Sequence, residues 1–438
     1  MREMKDSGIE WIGLAPISWD YIAIKYLVKS RLGGSWGNDV VADNDEYNRV
    51  CMRIADFDFI KLKFKENGNY TIRRYSKQDI EAKTLCYGDL LIEKSGGGEK
   101  TPVGRVVVYR LSDKNLYANF MERIRLNEKL CTFEFAKYFF YSLYSQGFTR
   151  FYYNQTTGIQ NLNIERYFRE IKVPLLPLNI QQQIADYLDT QCSEIDATAE
   201  DIQKEISLLE DYKKSVITEA VTKGLNPDVE MKDSGIEWIG QIPKHWKIIR
   251  IGYILGEIDR RSITGMEESL SVSQVLGVVP SSQIAVPSTA STMVGQKIVE
   301  PGELVLNKLK AHLGVCFVSN YKGLVSPDYA VYKANEKVKS KLLEYVFHTA
   351  SCIWEFKKYI TGVGQGLSRL YTKDLFRINV ALPDMLEQQQ IVSYLDTQCS
   401  EIDTLIADKK RQLDILADYK KSLIYEYVTG KKEVPVHE

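Results

Sequence analysis

QQQIADYLDTQCSEID, residues 181–196, returns as QQQIVSYLDTQCSEID at 388–403, and its reading decides the fold. Leu188, Ile195, Ile202, Leu209 and Val216 recur every seven residues, with Cys192, Ala199, Ile206 and Ala220 on the second heptad position. The second copy gives Leu395, Ile402, Leu416 and Leu423, with Cys399, Ile406, Leu413 and Tyr427; Lys409 and Lys420 interrupt its seam. A seven-residue apolar repeat makes a continuous stripe on a helix, the pattern of coiled-coil pairing. Asn179 with Gln182, and Asp384 with Glu387, have the spacing of a capping box at each start. Gly224, followed by Pro227, and Gly430 are stop signals. Each helix should be a rod of roughly 65 Å at about 1.5 Å per residue. The two rods carry the same kind of stripe, so an antiparallel pair related by a pseudo-twofold axis is expected. Packing of each rod on its own neighbouring block is the alternative.

Two further repeats flank these. MKDSGIEWIG stands at 4–13 and again at 231–240, an offset of 227; DYKKSVITEAVT at 211–222 returns as DYKKSLIYEYVT at 418–429, an offset of 207. The plan is therefore frame, variable block, frame, twice over, with the first block the longer by 20 residues. The blocks read as mixed α+β. The first has strand-like DLLIE (89–93), GRVVVYRL (104–111) and EIKVPLLP (170–177) around a helical FEFAKYFFYSL (133–143). The second follows with GELVLNKL (302–309), GVCFVS (314–319), DYAVYKA (328–334), LLEYVFHTA (342–350) and RINVALP (377–383).

A net charge of −1 hides a segregation. Residues 20–180 carry 25 Lys/Arg against 19 Asp/Glu, and residues 247–387 carry 17 against 13. Residues 181–246 carry 6 against 14, and 388–438 carry 7 against 9. Basic blocks on acidic frames would draw a polyanion to the blocks. The seven cysteines are scattered singly and the N-terminus has no apolar leader, which predicts reduced thiols and a cytoplasmic chain. No uninterrupted run of eighteen apolar residues exists, so no membrane partner is expected.

The candidate binding residues lie in four places. In EKSGGGEKTPVGR (93–105), Gly96 and Gly97 allow close backbone approach, while Lys94, Ser95, Lys100 and Arg105 offer phosphate contacts. A long hairpin loop without a ligand is the alternative. In RFYYNQTTGIQNLN (150–163), Tyr152 and Tyr153 offer stacking faces, and Gln160 and Asn161 offer amides that match adenine. In the second block NKLKAHLG (307–314) supplies Lys308, Lys310 and His312, and GVGQGLSRLY (362–371) supplies Gln365 and Arg369. Gln160-Asn161-Leu162 lies near Gln365-Gly366-Leu367 when the blocks are aligned. Catalytic signatures are missing: SPDY (326–329) lacks the prolines of a methyltransferase motif, LGGSWG (32–37) lacks the GxGxxG spacing, and there is no Walker motif or nucleophile elbow.

In order and in motif, residues 4–430 resemble the specificity subunit of type I restriction–modification systems. GIEWIGLAPISW and GIEWIGQIPKHW look like that family's repeated leading segment, and LPLNIQQQIADYLD and LPDMLEQQQIVSYLD like its spacer start. KSGGGEKTPVGRVV and GLVSPDYAVY resemble stretches of its recognition domains. Leu178-Asn179-Ile180 and Asp384-Met385-Leu386 depart from its proline-rich turn. The resemblance implies an α+β fold: two mixed target-recognition domains at 1–180 and 227–387, with leading segments 4–19 and 231–246. Helical spacers at 181–226 and 388–438 form the antiparallel coiled coil. It implies a non-catalytic subunit that reads the two halves of an asymmetric site on double-stranded DNA. Its partners would be two methyltransferase subunits and motor–nuclease restriction subunits. This chain would bind no cofactor; S-adenosylmethionine, ATP and Mg2+ would serve the partners. A coiled-coil adaptor presenting two ligand-binding domains to proteins is the rival reading.

Overall fold

The computed structural model describes residues 3–65, 68–156, 159–284, 293–360 and 369–435. Two helices dominate it: α2, Leu178–Lys223, and α4, Met385–Val428. They stop where Gly224 and Gly430 turn left-handed, each at a φ of 74°. The chain divides into two compact units, and the cut falls inside both helices. Unit 1 comprises Met1–Gln203 and Lys410–Glu438; unit 2 is Lys204–Lys409. Each unit thus holds one block, half of α2 and half of α4.

Within each unit the two half-helices run antiparallel. In unit 1, Tyr187 stacks on Tyr427 and Asp196 pairs with Lys420. In unit 2, Glu205 pairs with Lys409 and Asp403 with Lys213. The two lysines that interrupt the apolar seam therefore each hold a carboxylate on the facing helix. Leu188, Ile195, Ile202, Leu395, Ile402 and Leu423 are buried, whereas Leu209 and Leu416 are half-buried. The stripe serves the block as well as the other helix: Leu188, Cys192 and Ile195 share one core with Leu423, Ile424, Phe135 and Phe139.

The sequence expectation of two capping boxes is corrected at the first. Helix α2 begins one residue before Asn179, where Pro177 O accepts from Ile180 N and Gln181 N, so Asn179 lies inside the first turn. Gln182 reaches forward to Asp186 instead. Asp384 does cap α4, accepting from Glu387 N at 2.9 Å, but the Glu387 carboxylate turns to His245 and Trp246.

Unit 1 is built on a six-stranded sheet in the order Val28–Gly33, Met121–Leu126, Leu90–Glu93, Val106–Val108, Lys63–Phe64, Phe57–Asp58. Unit 2 has a four-stranded sheet in the order Leu255–Ile258, Tyr329–Ala334, Leu304–Asn307, Cys316–Val318. The four strands of unit 2 match the first four of unit 1, all antiparallel neighbours. The extra strands at 57–64 account for part of the longer first block. A helix covers each sheet, α1 (Phe133–Ser145) in unit 1 and α3 (Ser340–Phe347) in unit 2.

The frames hold blocks and helices together through one repeated set of contacts. Gln181, buried at the start of α2, accepts from Thr132 N and donates to Leu130 O and Leu176 O. Gln388 at the start of α4 does the same with Lys339 N, Lys337 O and Pro383 O. Tyr138 donates to Asp189 on α2, and Tyr345 to Asp396 on α4 at 2.6 Å. Each leading segment packs on a helix end. A Cβ at Gly224 would stand 3.4 Å from the Trp246 ring, and one at Gly430 would stand 2.6 Å from that of Trp19. Tyr425 also donates to Ile12 O. Among the described residues, no helix is long and apolar enough to cross a membrane.

Candidate nucleic-acid interface

Two equivalent strands, Leu90–Glu93 and Leu304–Asn307, are each followed directly by a lysine, Lys94 and Lys308. In unit 1, Lys94 O accepts from Leu162 N at 2.8 Å. In unit 2, Lys308 O accepts from Leu370 N at 3.1 Å. One backbone connection is thus made twice, and it brings the sequence-nominated segments of each block side by side. The register equates Leu162 with Leu370, hence Asn161 with Arg369, and not Leu162 with Leu367 as the alignment of the blocks suggested.

The side chains hung on this common skeleton differ. In unit 1 the chain after Lys94 continues as a strand, Ser95–Gly97, which pairs with Ile159–Leu162, itself paired with Tyr153–Thr156. Ser95 Oγ is bonded to Asn161 Oδ1. Gly96 takes a φ of 98°, a backbone conformation that disfavours a side chain, and a Cβ on Gly97 would lie 2.7 Å from Val103 N, too close without movement. Lys100 is exposed at the loop tip. Gln160 is buried, and among the described residues its Oε1 has no partner.

Three nominated residues of unit 1 face inward. Arg105 forms a bidentate pair with the buried Glu93, at 2.7 and 3.2 Å. Burial pushes the Glu93 carboxyl up and the Arg105 charge opposes that shift. This pair holds the base of the glycine loop, since Glu93 also exchanges backbone bonds with Arg105 and Gly104. Tyr153 donates to Val103 O at 2.9 Å and so braces the same loop from below. Tyr152 packs edge-on against the buried Tyr167, with Arg166 over its ring.

In unit 2, Lys308 opens a 3-10 turn, Lys308–Leu313, capped by Asn307, whose side chain accepts from Leu309 N and Lys310 N. Lys310 is exposed and His312 is half-buried on this turn. Arg369 lies beside it, 3.3 Å from Asp328. Burial lowers the Lys308 pKa, Glu257 at 3.8 Å opposes that shift, and Lys297 and Arg369 add to it. Lys297 is a buried cation that sequence reading missed; it sits 3.5 Å from Glu257 and 3.6 Å from Asp259. Nothing in the run GQKIVE distinguishes it from a surface lysine. Gln365 lies outside the described residues.

The Ser/Asn pair of unit 1 presents neutral donors and acceptors beside a lysine; unit 2 presents an arginine beside a lysine. Amides match the edge of adenine and a guanidinium matches that of guanine, while lysines meet phosphate. The same scaffold therefore carries two different hydrogen-bonding surfaces.

Comparison with known proteins agrees with this duplicated plan. A family profile described as the Type I restriction modification DNA specificity domain matches residues 50–208 and 289–414. The putative type I restriction enzyme MjaX specificity subunit of Methanocaldococcus jannaschii is 23% identical over 97% of this chain and 96% of its own. The MjaVIII specificity subunit of the same organism is 25% identical over 74% of this chain and 76% of its own. Among solved structures, a chain from work on assembly and conformational transition of the type I R-M system superposes with a TM-score of 0.65 at 15% identity. It covers 95% of this chain and 99% of that one. The HsdS subunit of Thermoanaerobacter tengcongensis gives 0.51 at 16% identity, covering 95% and 98%.

Proposed function

The chain belongs to the type I restriction–modification DNA specificity family, as a non-catalytic specificity subunit, and from that premise we propose how its two units divide the work. Each unit reads one half of a bipartite, asymmetric site on double-stranded DNA. Unit 1 uses the surface around Lys94, Ser95, Lys100 and Asn161; unit 2 uses that around Lys308, Lys310, His312 and Arg369. The observation that carries this reading is the shared register at Lys94–Leu162 and Lys308–Leu370, dressed with unlike side chains. Arg105 and Tyr153 support the loop, Tyr152 packs on Tyr167, and none of the three reads bases. The cytoplasm, where chromosomal DNA lies, is the compartment this role requires.

The frames, by contrast, suit identical partners. Leu208 and Tyr212 on α2 are 69% and 54% exposed; their repeats Ile415 and Tyr419 on α4 are 61% and 50% exposed. A large apolar pair kept exposed at i,i+4 in both copies is not explained by folding, because neither member enters a core. Each unit thus offers the same aliphatic–tyrosine patch, which suits two copies of one methyltransferase subunit. S-adenosylmethionine, ATP and Mg2+ belong to that subunit and to motor–nuclease subunits.

Block exchange tests the division of labour. Residues 20–180 are replaced by those of a homologue of known specificity, and methylated sites are mapped in cells supplying the methyltransferase. One half-site should change and the other stay. A change in both halves, or in neither, refutes the assignment.

A further inference from the structure

Trp36, in the stretch LGGSWG, is an exposed aromatic on a hydrogen-bonded loop. It lies at the end of strand Val28–Gly33, on a loop pinned on both sides. Gly34 N donates to Met121 O and Ser35 N to Tyr117 O, while Asn38 exchanges both backbone bonds with Arg74. Gly34 is obligatory, since a Cβ there would meet Ala118 O at 2.2 Å. Gly37 has a φ of 68°. Trp36 on this loop is 41% exposed.

The indole is also braced. The Arg73 guanidinium lies 4.9 Å from its ring centroid, its Nε donates to Trp36 O at 3.2 Å, and Asp39 holds its far end. A stacked guanidinium of this kind, itself held by a carboxylate, fixes the ring plane. The site borders the Lys94 surface: Lys94 Nζ stands 3.1 Å from where a Cβ on Gly33 would be, and Lys94 N donates to the carbonyl of Phe120, itself 49% exposed. Two exposed aromatics and two cations therefore share one rim of unit 1. Buried in the same loop, Ser35 Oγ has no partner among the described residues.

We propose that Trp36, backed by Arg73, is a stacking platform for a DNA base in the half-site read by unit 1. This rests on the reading of unit 1 as a DNA reader. Rigid aromatics beside phosphate-binding cations are the arrangement by which proteins stack on or wedge against bases. Stacking itself is blind to the identity of the base and favours base steps that unstack easily, so the Trp36 ring contributes specificity through DNA deformability.

The test uses the full-length chain and a random-sequence duplex library, with bound duplexes sequenced. Wild type should enrich a two-part motif. Trp36→Ala should bind the enriched duplex about tenfold or more weakly and flatten base preference in one half only, while its melting temperature is kept. Trp36→Phe should bind within about threefold of wild type, stacking being retained. The intrinsic tryptophan emission of wild type should be quenched by that duplex, and in Trp36→Phe most of the quench should vanish. An unchanged quench in Trp36→Phe overturns the platform whatever the folding of Trp36→Ala, and so does an unchanged motif in a folded Trp36→Ala. A wild-type chain that enriches no motif overturns the DNA-reading assignment itself and the platform with it.

Discussion

The ion pair Asp196–Lys420 in unit 1 and the pair Asp403–Lys213 in unit 2 are the same two residues of the repeat, yet they live in different environments. Lys420 and Asp196 have side chains 8% and 13% exposed, and Lys420 also donates to Ile60 O. Lys213 and Asp403 are 28% and 59% exposed. The difference comes from the block. Among the described residues only unit 1 has the extra strands at 57–64, and the turn between them, Phe59–Leu62, reaches the helix pair at Lys420. A frame repeat thus specifies who pairs with whom, and the variable block decides what the pairing is worth.

That comparison can be broken by substitution. Lys420→Met leaves a carboxylate buried without its cation and should destabilise the chain by about 3–5 kcal/mol. Lys213→Met should cost less than about 1 kcal/mol, the worth of an exposed pair. Denaturant unfolding of both variants would decide it, and equal costs would mean that the turn at 59–62 does not seal its pair.

Where the two units are alike, the effects should be alike. Gln181→Leu and Gln388→Leu each orphan one backbone N–H and two carbonyls, and each should cost about 1–3 kcal/mol per strongly buried group lost. The two variants should fall within about 1 kcal/mol of each other by the same measurement. A neutral result for one would show that its unit holds its helix by other means.

At the reading surface the units should diverge again. Arg369→Ala should weaken binding by about 1–3 kcal/mol and relax base preference in one half-site, and Asn161→Ala should do so in the other. Bind-and-sequence experiments at fixed salt separate the two; relaxation of both halves by either variant would refute separate reading. Lys100→Ala should instead weaken all sequences evenly and reduce the salt dependence.

The smallest predicted contrast is in pH. His348 of unit 2 has Tyr141 as its repeat counterpart. Burial lowers the His348 pKa, with Glu344 opposing and Lys341 adding to the shift, and among the described residues its Nε2 has no partner. The unfolded chain takes up this proton near pH 6.5 and the folded one only at lower pH. The contribution to stability is therefore full above about pH 6.5 and is lost as the pH falls through the folded value. Tyr141, pushed up to about 12 by burial, does not titrate in this range. Between pH 7 and 5 the wild type should lose more stability than His348→Leu. Parallel melting curves for the two would remove His348 as the cause.

Much of this was legible in the chain. The heptad stripe, the stop glycines, the strands around Leu90, Val106, Leu304 and Tyr329, and the helix at Phe133 follow from local pattern, because period and turn chemistry act over a few residues. Gln181 was legible in part. It lies seven residues before Leu188 and Gln388 seven before Leu395, so each places an amide on an apolar stripe, the signature of a buried polar clamp. What the amide clamps needed the fold, because Thr132 and Leu130 are some fifty residues away in sequence. The first helix start was misread because the Pro177 carbonyl does the work expected of Asn179. Arg105 was read as free because its partner Glu93, twelve residues back, becomes a neighbour only when the strands pair.

By itself the sequence determined a doubled frame with two unlike inserts, since identity, periodicity and charge segregation survive without any coordinates. Only the tertiary structure decided that Asn161 answers to Arg369, that Arg105 faces inward and that Trp36 faces out. Strand register, burial and the approach of distant backbones settle those questions, and each is a property of contacts between residues that no local pattern can bring together.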